Sequence, residues 1–243
     1  MKTVELTVSD NSFSVKEAYK SLRTNILFCG GGIKVIAITS CVPGEGKSSV
    51  SFNIARALAD DGKRVVYVDG DLRKSVAMNR YKVGKKIVGL SHYLSGQSEL
   101  EDILYETNIE RLSMIFSGVE PPNPAELLGN SLFKEAIGVL REKYDYVIVD
   151  TPPMASVSDC AVMSKVCDGV IMVIAAGATN SRLAKSVKQQ LERTNCKILG
   201  AVLNKIDTTK KEYYSNYYGT NYYKYKKYTN YYGADKGDIE IVE

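Results

Sequence analysis

The stretch from Ser40 to Ser49 reads Ser-Cys-Val-Pro-Gly-Glu-Gly-Lys-Ser-Ser, a glycine-bearing turn that ends in a lysine and two hydroxyls. Where such a turn opens a helix, its amides and the helix N-terminus converge on a polyphosphate, the lysine reaches the β/γ oxygens, and the next hydroxyl can ligate Mg²⁺. Pro43, Gly44, Glu45, Gly46, Lys47, Ser48 and Ser49 are thus candidate phosphate contacts, with Lys47 on the phosphates and Ser48 on the metal. The pattern G-x-x-x-x-G-K-S is incomplete, because Cys41 holds its first glycine position. Two further stretches bring carboxylates. Tyr146-Val147-Ile148-Val149-Asp150 is an apolar run ending in aspartate, the Walker B form, whose carboxylate holds Mg²⁺ directly or through water. Val65-Val66-Tyr67-Val68-Asp69-Gly70-Asp71 is a second such run with two carboxylates one residue apart, followed by Arg73-Lys74. Phosphoryl transfer asks for a cation to neutralise the γ-phosphate and for a base within reach of the attacking hydroxyl. Either Asp69 or Asp71 can fill either part.

These groups need a scaffold that brings strand ends together. Val35-Ile36-Ala37-Ile38-Thr39 is short and β-branched, as a buried strand is, and Val50, Ile54, Ala57 and Leu58 follow at helical spacing. Strands are expected at Lys34–Thr39, Arg64–Asp69, Arg111–Phe116, Tyr144–Asp150, Gly169–Ala175 and Lys197–Asn204, with helical periodicity between most of them. The class is therefore α/β: a P-loop NTPase fold whose mostly parallel sheet carries helices on both faces and gathers its chemistry at the strands' carboxyl ends. Residues 1–13 read as a loose N-terminal arm, 14–207 as the catalytic domain, and 208–243 as a tail. Ser14 and Glu17 form a capping box, and Val15, Tyr19, Leu22 and Ile26 an apolar stripe. Lys16, Lys20 and Arg23 share a neighbouring stripe, either a solvated face or a surface for acidic groups of another subunit. Asn123, Pro124 and Glu126 mark another helix start.

The 243 residues suit one large or two small α/β domains, and the net charge of +4 does not ask for nucleic acid. With no apolar run of the roughly 20 residues a membrane span requires, and no leader pattern, a cytoplasmic location is expected. Cys29, Cys41, Cys160, Cys167 and Cys196 are odd in number and lack a C-x-x-C pair, which suits reduced thiols; Cys41 reads as a small tolerated loop residue. The only histidine, His92, lies in an amphipathic turn or helix and is assigned no chemistry. Beyond Thr208 the pattern stops. Tyr213, Tyr214, Tyr217, Tyr218, Tyr222, Tyr223, Tyr225, Tyr228, Tyr231 and Tyr232 stand among Asn, Gly, Lys and Thr with no leucine, isoleucine or valine, a composition that predicts disorder. From Thr208 to Tyr232, five lysines against one glutamate carry a charge of +4.

Together, Pro43-Gly44-Glu45-Gly46-Lys47-Ser48, Asp69-x-Asp71-x-Arg73, Asp150-Thr151-Pro152-Pro153, Pro121-Pro122-Asn123-Pro124-x-Glu126-Leu127-Leu128 and the tyrosine cluster resemble the bacterial tyrosine kinases, P-loop enzymes that accompany capsular and exopolysaccharide synthesis. The resemblance runs from about Ser14 to Tyr232. It implies ATP and Mg²⁺ as cofactors, Lys47 on phosphate, Ser48, Asp71 and Asp150 on the metal, and Asp69 as base. It further implies a ring of copies joined through E-x-x-R-x-x-R, here Glu17-x-x-Lys20-x-x-Arg23, whose first arginine is replaced by a lysine without the planar fork. In the Gram-positive two-chain form, the cytosolic segment of a membrane polysaccharide co-polymerase activates the kinase and holds it at the inner face of the membrane. The tail tyrosines would then be the phosphate acceptors, beside other protein substrates. Each phosphate adds about −1.5 to −2 charges, so two or three cancel the tail's excess and loosen its attraction to an acidic groove.

Three rivals share parts of this pattern. Partition and septum-positioning ATPase switches have the fold and the two-aspartate strand, but carry a lysine where this chain has Val42. Asn204-Lys205-Ile206-Asp207 matches the guanine-reading N-K-x-D, yet a GTPase would continue Asp150 as D-x-x-G, and residue 153 is proline. Asn204 can still lie near the base in an ATP enzyme. Tyrosines interleaved with lysines could stack on single-stranded nucleic acid, but no other basic platform accompanies them.

Overall fold

The computed structural model describes residues 2–83, 87–154 and 159–206. The ten-tyrosine cluster and the rest of the segment read as a tail lie outside the described residues.

Among the described residues eight strands form one sheet: β1 (Lys2–Val4), β2 (Val35–Ser40), β3 (Val65–Asp69), β4 (Leu104–Thr107), β5 (Leu112–Ile115), β6 (Tyr146–Asp150), β7 (Gly169–Ala175) and β8 (Lys197–Asn204), in the order β1-β4-β5-β3-β6-β2-β7-β8. Every neighbouring pair is parallel except β4 with β5. The helices that matter for the site are α1 (Phe13–Leu27), α2 (Lys47–Asp60), α3 (Ala77–Arg80), α4 (Leu90–Leu94), α5 (Leu100–Ile103), α6 (Pro124–Gly129), α7 (Ser131–Lys143), α8 (Asp159–Met163) and α9 (Ser181–Glu192).

The central strands are apolar at nearly every position because both of their faces are covered. Side-chain alternation divides the core into two layers. Ile36 and Ile38 of β2, Tyr67 of β3 and Ile148 of β6 pack on Phe52, Ile54 and Leu58 of α2. Val66, Val68, Val147 and Val149 turn the other way, onto Leu90 of α4 and Phe133, Ile137 and Leu140 of α7. Ala37, Val170 and Met172 meet Val187 and Leu191 of α9. With β2 lying between β6 and β7, and β3 against β6, the carboxyl ends of β2, β3 and β6 stand side by side.

Each of the six expected strands is present, with every end within two residues of its expected position. The N-terminal arm is not loose. Lys2–Val4 pair in parallel with Tyr105–Thr107, Leu6 N donates to Asn108 Oδ1 (2.9 Å), and Leu6 is buried. A three-residue edge strand has too little alternation to be read locally, and the same holds for its partner β4, which follows α5 without a turn. The capping box at Ser14 is also corrected: α1 begins at Phe13 with Ser12 as N-cap and no side-chain cap bond, while the Ser14 hydroxyl lies 3.1 Å from that of Ser12. At α6 the start signal is found, with Asn123 as N-cap and proline at the first position, but Asn123 Nδ2 donates to Glu126 Oε2 (2.7 Å) instead of the side chain capping an amide.

Candidate active site

The phosphate loop passes from the end of β2 into α2. Among the described residues, the amides of residues 44–49 donate to no protein acceptor, whereas Val50 N returns to Gly46 O (3.0 Å) and starts the helical ladder. Unpaired amides around a helix N-terminus suit an anion, since the partial positive charge of the helix end lies there too. Gly46 adopts φ +89, and a Cβ on it would lie 2.2 Å from Asn204 Nδ2, so only glycine fits.

Glu45 does not turn toward the phosphate position. Its side chain is 1% exposed; Oε2 accepts Cys41 N (2.6 Å) and Val42 N (2.9 Å), and Oε1 accepts Ala175 N (3.0 Å) and the Thr179 hydroxyl. Of the residues read as phosphate contacts, this one shapes the loop from within and leaves only its backbone amide for a ligand. It also accounts for the missing first glycine: the Cys41 and Val42 amides are held by a carboxylate inside the turn, and Cys41 has no left-handed φ. The Cys41 thiol is buried, and burial, reinforced by Glu45, pushes it up to about 11, so it stays a thiol. Asn204, at the end of β8, donates to Glu45 O (2.8 Å), and Lys205 Nζ donates to Gly44 O (2.6 Å), so both motif residues brace the loop. Ser49 accepts a hydrogen bond from the Arg80 guanidinium at the end of α3.

Lys47 leads α2 and is buried against the aspartates. Its Nζ lies 2.9 Å from Asp150 Oδ1, 3.8 Å from Asp71 Oδ2 and 3.3 Å from the Ser48 hydroxyl. Asp69 and Asp150 are register partners across β3 and β6, each 1% exposed. Gly70 makes this closeness possible: its amide donates to Asp150 O (2.8 Å), and a Cβ would stand 2.9 Å from that oxygen and 2.1 Å from Met163 Cε. Burial, and then the facing Asp150 carboxylate, push the Asp69 carboxyl up to about 7, against the opposing pull of the Ser75 hydroxyl and Lys47. Asp71 is 8% exposed, with Oδ1 accepting Lys74 N (3.1 Å). Asp71 and Asp150 thus lie 3.8 and 2.9 Å from the Lys47 ammonium. Among the described residues no three His, Cys, Asp or Glu side chains group closely enough to hold a metal by themselves, so a divalent cation here would need phosphate oxygens and water as further ligands.

Lys47, Ser48, Asp69, Asp71 and Asp150 thus come together, with Asn204 on the loop's flank. Glu17, Lys20 and Arg23 are elsewhere. Lys20 Nζ pairs with Glu17 on α1 itself (2.6 Å), and Arg23 reaches Asp61 (3.2 Å) and Ala57 O (3.4 Å), near the end of α2 farther from the loop. Ala57 lies ten helical steps beyond Lys47, roughly 15 Å along α2. The tyrosine cluster falls outside the described residues. Four polar groups escaped the reading of the sequence. Tyr67 OH donates to Asp150 Oδ2 (3.1 Å), Ser51 Oγ to Asp150 Oδ1 (2.8 Å), and Ser75 Oγ to Asp69, while buried Asp159 accepts both Nε (2.7 Å) and a terminal nitrogen (3.1 Å) of Arg73. Ser51 could have been found, since it lies one helical turn after Lys47; the others depend on the tertiary fold.

A family model described as an AAA domain matches residues 33–200. A tyrosine-protein kinase CpsD of Streptococcus pneumoniae is 42% identical over 224 residues, covering 89% of this chain and 99% of that one. A tyrosine-protein kinase YwqD of Bacillus subtilis is 38% identical over 85% of this chain and 86% of its own. Among solved structures, the chimerical protein CapA2B2 superposes with a TM-score of 0.77 at 32% identity, covering 86% of this chain and 95% of that one. The septum site-determining protein MinD of Pyrococcus horikoshii OT3, complexed with Mg-ADP, superposes over 76% of each chain with a TM-score of 0.63 at 24% identity, a likeness of fold alone.

Proposed function

The chain belongs to the bacterial protein-tyrosine kinases, and from that premise we propose that it phosphorylates the C-terminal tyrosine cluster of neighbouring copies and so regulates capsular and extracellular polysaccharide synthesis and export. In this reading the cofactors are ATP and Mg²⁺, which supply the γ-phosphoryl group and neutralise its charge. The loop amides and Lys47 hold the phosphate oxygens. Ser48, Asp71 and Asp150 would hold the Mg²⁺, together with phosphate oxygens. Asp69 takes the proton from the attacking phenol, whose own pKa of about 10 leaves it neutral at working pH. The observation that carries the reading is geometric: Asp69 and Asp150 end adjacent strands as register partners, and Lys47 Nζ lies 2.9 Å from Asp150 and 3.8 Å from Asp71, so a candidate base, the phosphate lysine and two further carboxylates meet beside a loop of unpaired amides.

Tail tyrosines Tyr213 to Tyr232 are the proposed acceptors, with other protein tyrosines as further substrates. Glu17, Lys20 and Arg23 are the proposed contacts of a homo-oligomeric ring, and the cytosolic segment of a membrane co-polymerase the proposed activator, which places the kinase at the inner face of the membrane. No helix among the described residues is long and apolar enough to cross a membrane, in keeping with attachment through such a partner. The alternative, an ATPase switch of the septum-positioning kind, shares the fold. Its signature lysine would fall at Val42, whose amide here is tied to Glu45 inside the loop.

The test is incubation with ATP and Mg²⁺, with and without the activator's cytosolic segment, followed by mapping of phosphate. Phosphate on the tail, lost in Lys47→Met and in the variant with all ten tyrosines changed to phenylalanine, supports the reading. Nucleotide turnover with every tyrosine unmodified leaves the ATPase switch.

A further inference from the structure

Tyr67 lies in the middle of β3, with its ring fully buried edge-on to Phe52 (centroids 6.1 Å apart, planes at 75°). For packing alone, a leucine or isoleucine would serve at this position, as Ile148 does on β6 in the same layer. The phenol is used differently. Its hydroxyl donates to Asp150 Oδ2 (3.1 Å), while Lys47 Nζ (2.9 Å) and Ser51 Oγ (2.8 Å) both bind Oδ1. One carboxylate therefore receives three protein donors from two elements, β3 and α2. Two donors on one oxygen leave the plane of a carboxylate free to swing about them; a third on the other oxygen fixes it.

We infer that Tyr67 is a positioning residue for the metal side of the site, locking the orientation of the Asp150 carboxylate that would hold Mg²⁺. Oδ1 already receives Lys47 and Ser51. That leaves Oδ2, shared only with the phenol among the described residues, as the oxygen through which Asp150 would act on the metal. The inference rests on the assignment of Asp150 to Mg²⁺ made above.

The experiment is equilibrium binding of a fluorescent ADP analogue to the full chain, with Mg²⁺ and with EDTA, in the wild type, Tyr67→Phe, Asp150→Asn and the double variant. The readout is the gain in affinity that Mg²⁺ brings. Groups that orient a metal ligand are typically worth about 10- to 100-fold in metal affinity, so the gain should shrink by about tenfold in Tyr67→Phe while the EDTA affinity stays within about twofold. In the Asp150→Asn background, Tyr67→Phe should add nothing further. An undiminished gain in Tyr67→Phe, or an equal additional loss in the Asp150→Asn background, overturns the inference, since a merely structural phenol acts alike in both. Should Tyr67→Phe melt well below the wild type, the four proteins are compared at a temperature where each remains folded. A Mg²⁺ gain still reduced there supports carboxylate orientation as the cause, and an undiminished gain overturns it. If the wild type itself gains nothing from Mg²⁺, the assignment of Asp150 fails first.

Discussion

Asp69 and Asp150 end adjacent strands as register partners, both almost wholly buried, and burial, reinforced by the facing Asp150, pushes the Asp69 carboxyl up to about 7. Catalysis and stability pull against each other at this point, because the site that makes Asp69 a usable base is one in which its charge is costly.

Replacing Asp69 with Asn should therefore abolish phosphotransfer yet stabilise the fold. Folding raises the Asp69 pKa from 3.8 to about 7, so the native state binds a proton that the unfolded chain has lost across that interval. The stability involved is fully present below pH 4 and is lost as pH rises through 7. In EDTA, the melting temperature of Asp69→Asn relative to the wild type should climb between pH 4 and pH 8, corresponding to a stability difference on the order of a few kcal/mol at most. Melting curves across that range check it. A flat difference would mean that Asp69 titrates near its ordinary value.

Glu45→Gln should be far more damaging than an exposed loop change. The carboxylate accepts from the Cys41, Val42 and Ala175 amides and the Thr179 hydroxyl, and a glutamine must turn an NH₂ toward one of those two donor pairs. Leaving buried donors opposed or unpaired costs about 1–3 kcal/mol each. The expected outcome is a loss of about 3 kcal/mol in denaturant unfolding, with nucleotide affinity weakened at least about tenfold because the loop loses its template.

This residue also marks where reading the sequence reaches its limit. The loop, the two aspartate strands and the sheet class were legible because each is local: apolar runs of strand length, glycines next to a lysine, carboxylates at run ends. Glu45 lies inside the motif, yet its direction was not legible, since its donors Ala175 and Thr179 come from 130 and more residues away. Tyr67 looked like one apolar strand residue among others until β6 brought Asp150 to its hydroxyl. The edge strand β1 failed for a related reason. Three residues carry no period, and its partner β4 lies about a hundred residues on.

Gly46→Ala should disable the loop through two separable costs. The left-handed φ of +89 penalises any Cβ by about 1 kcal/mol or more, and the added methyl would collide with Asn204 Nδ2. Asn204→Ala removes the collision but not the backbone strain. The double variant should thus recover part of the stability lost in Gly46→Ala, while Asn204→Ala alone costs about 1 kcal/mol for its bond to Glu45 O. Purely additive effects of the two changes, measured by denaturant unfolding, would show that the side chain moves aside freely.

Lys20→Arg tests the oligomer surface without disturbing the site. Lys20 is exposed and bound only to Glu17 on its own helix among the described residues, an arrangement worth a few tenths of a kcal/mol. Arginine can keep that contact and offer a planar fork of further donors to an acidic group on a second copy. Monomer stability should change by less than about 0.5 kcal/mol, while sedimentation of the unphosphorylated protein shifts toward larger assemblies. Arg23→Ala should act in the opposite direction. Its pair with Asp61 is only partly exposed, so some loss of helix packing accompanies the loss of assembly, and comparison with Asp61→Asn separates the two. If α1 is a solvated face and nothing more, Lys20→Arg will leave the sedimentation profile unchanged at every concentration.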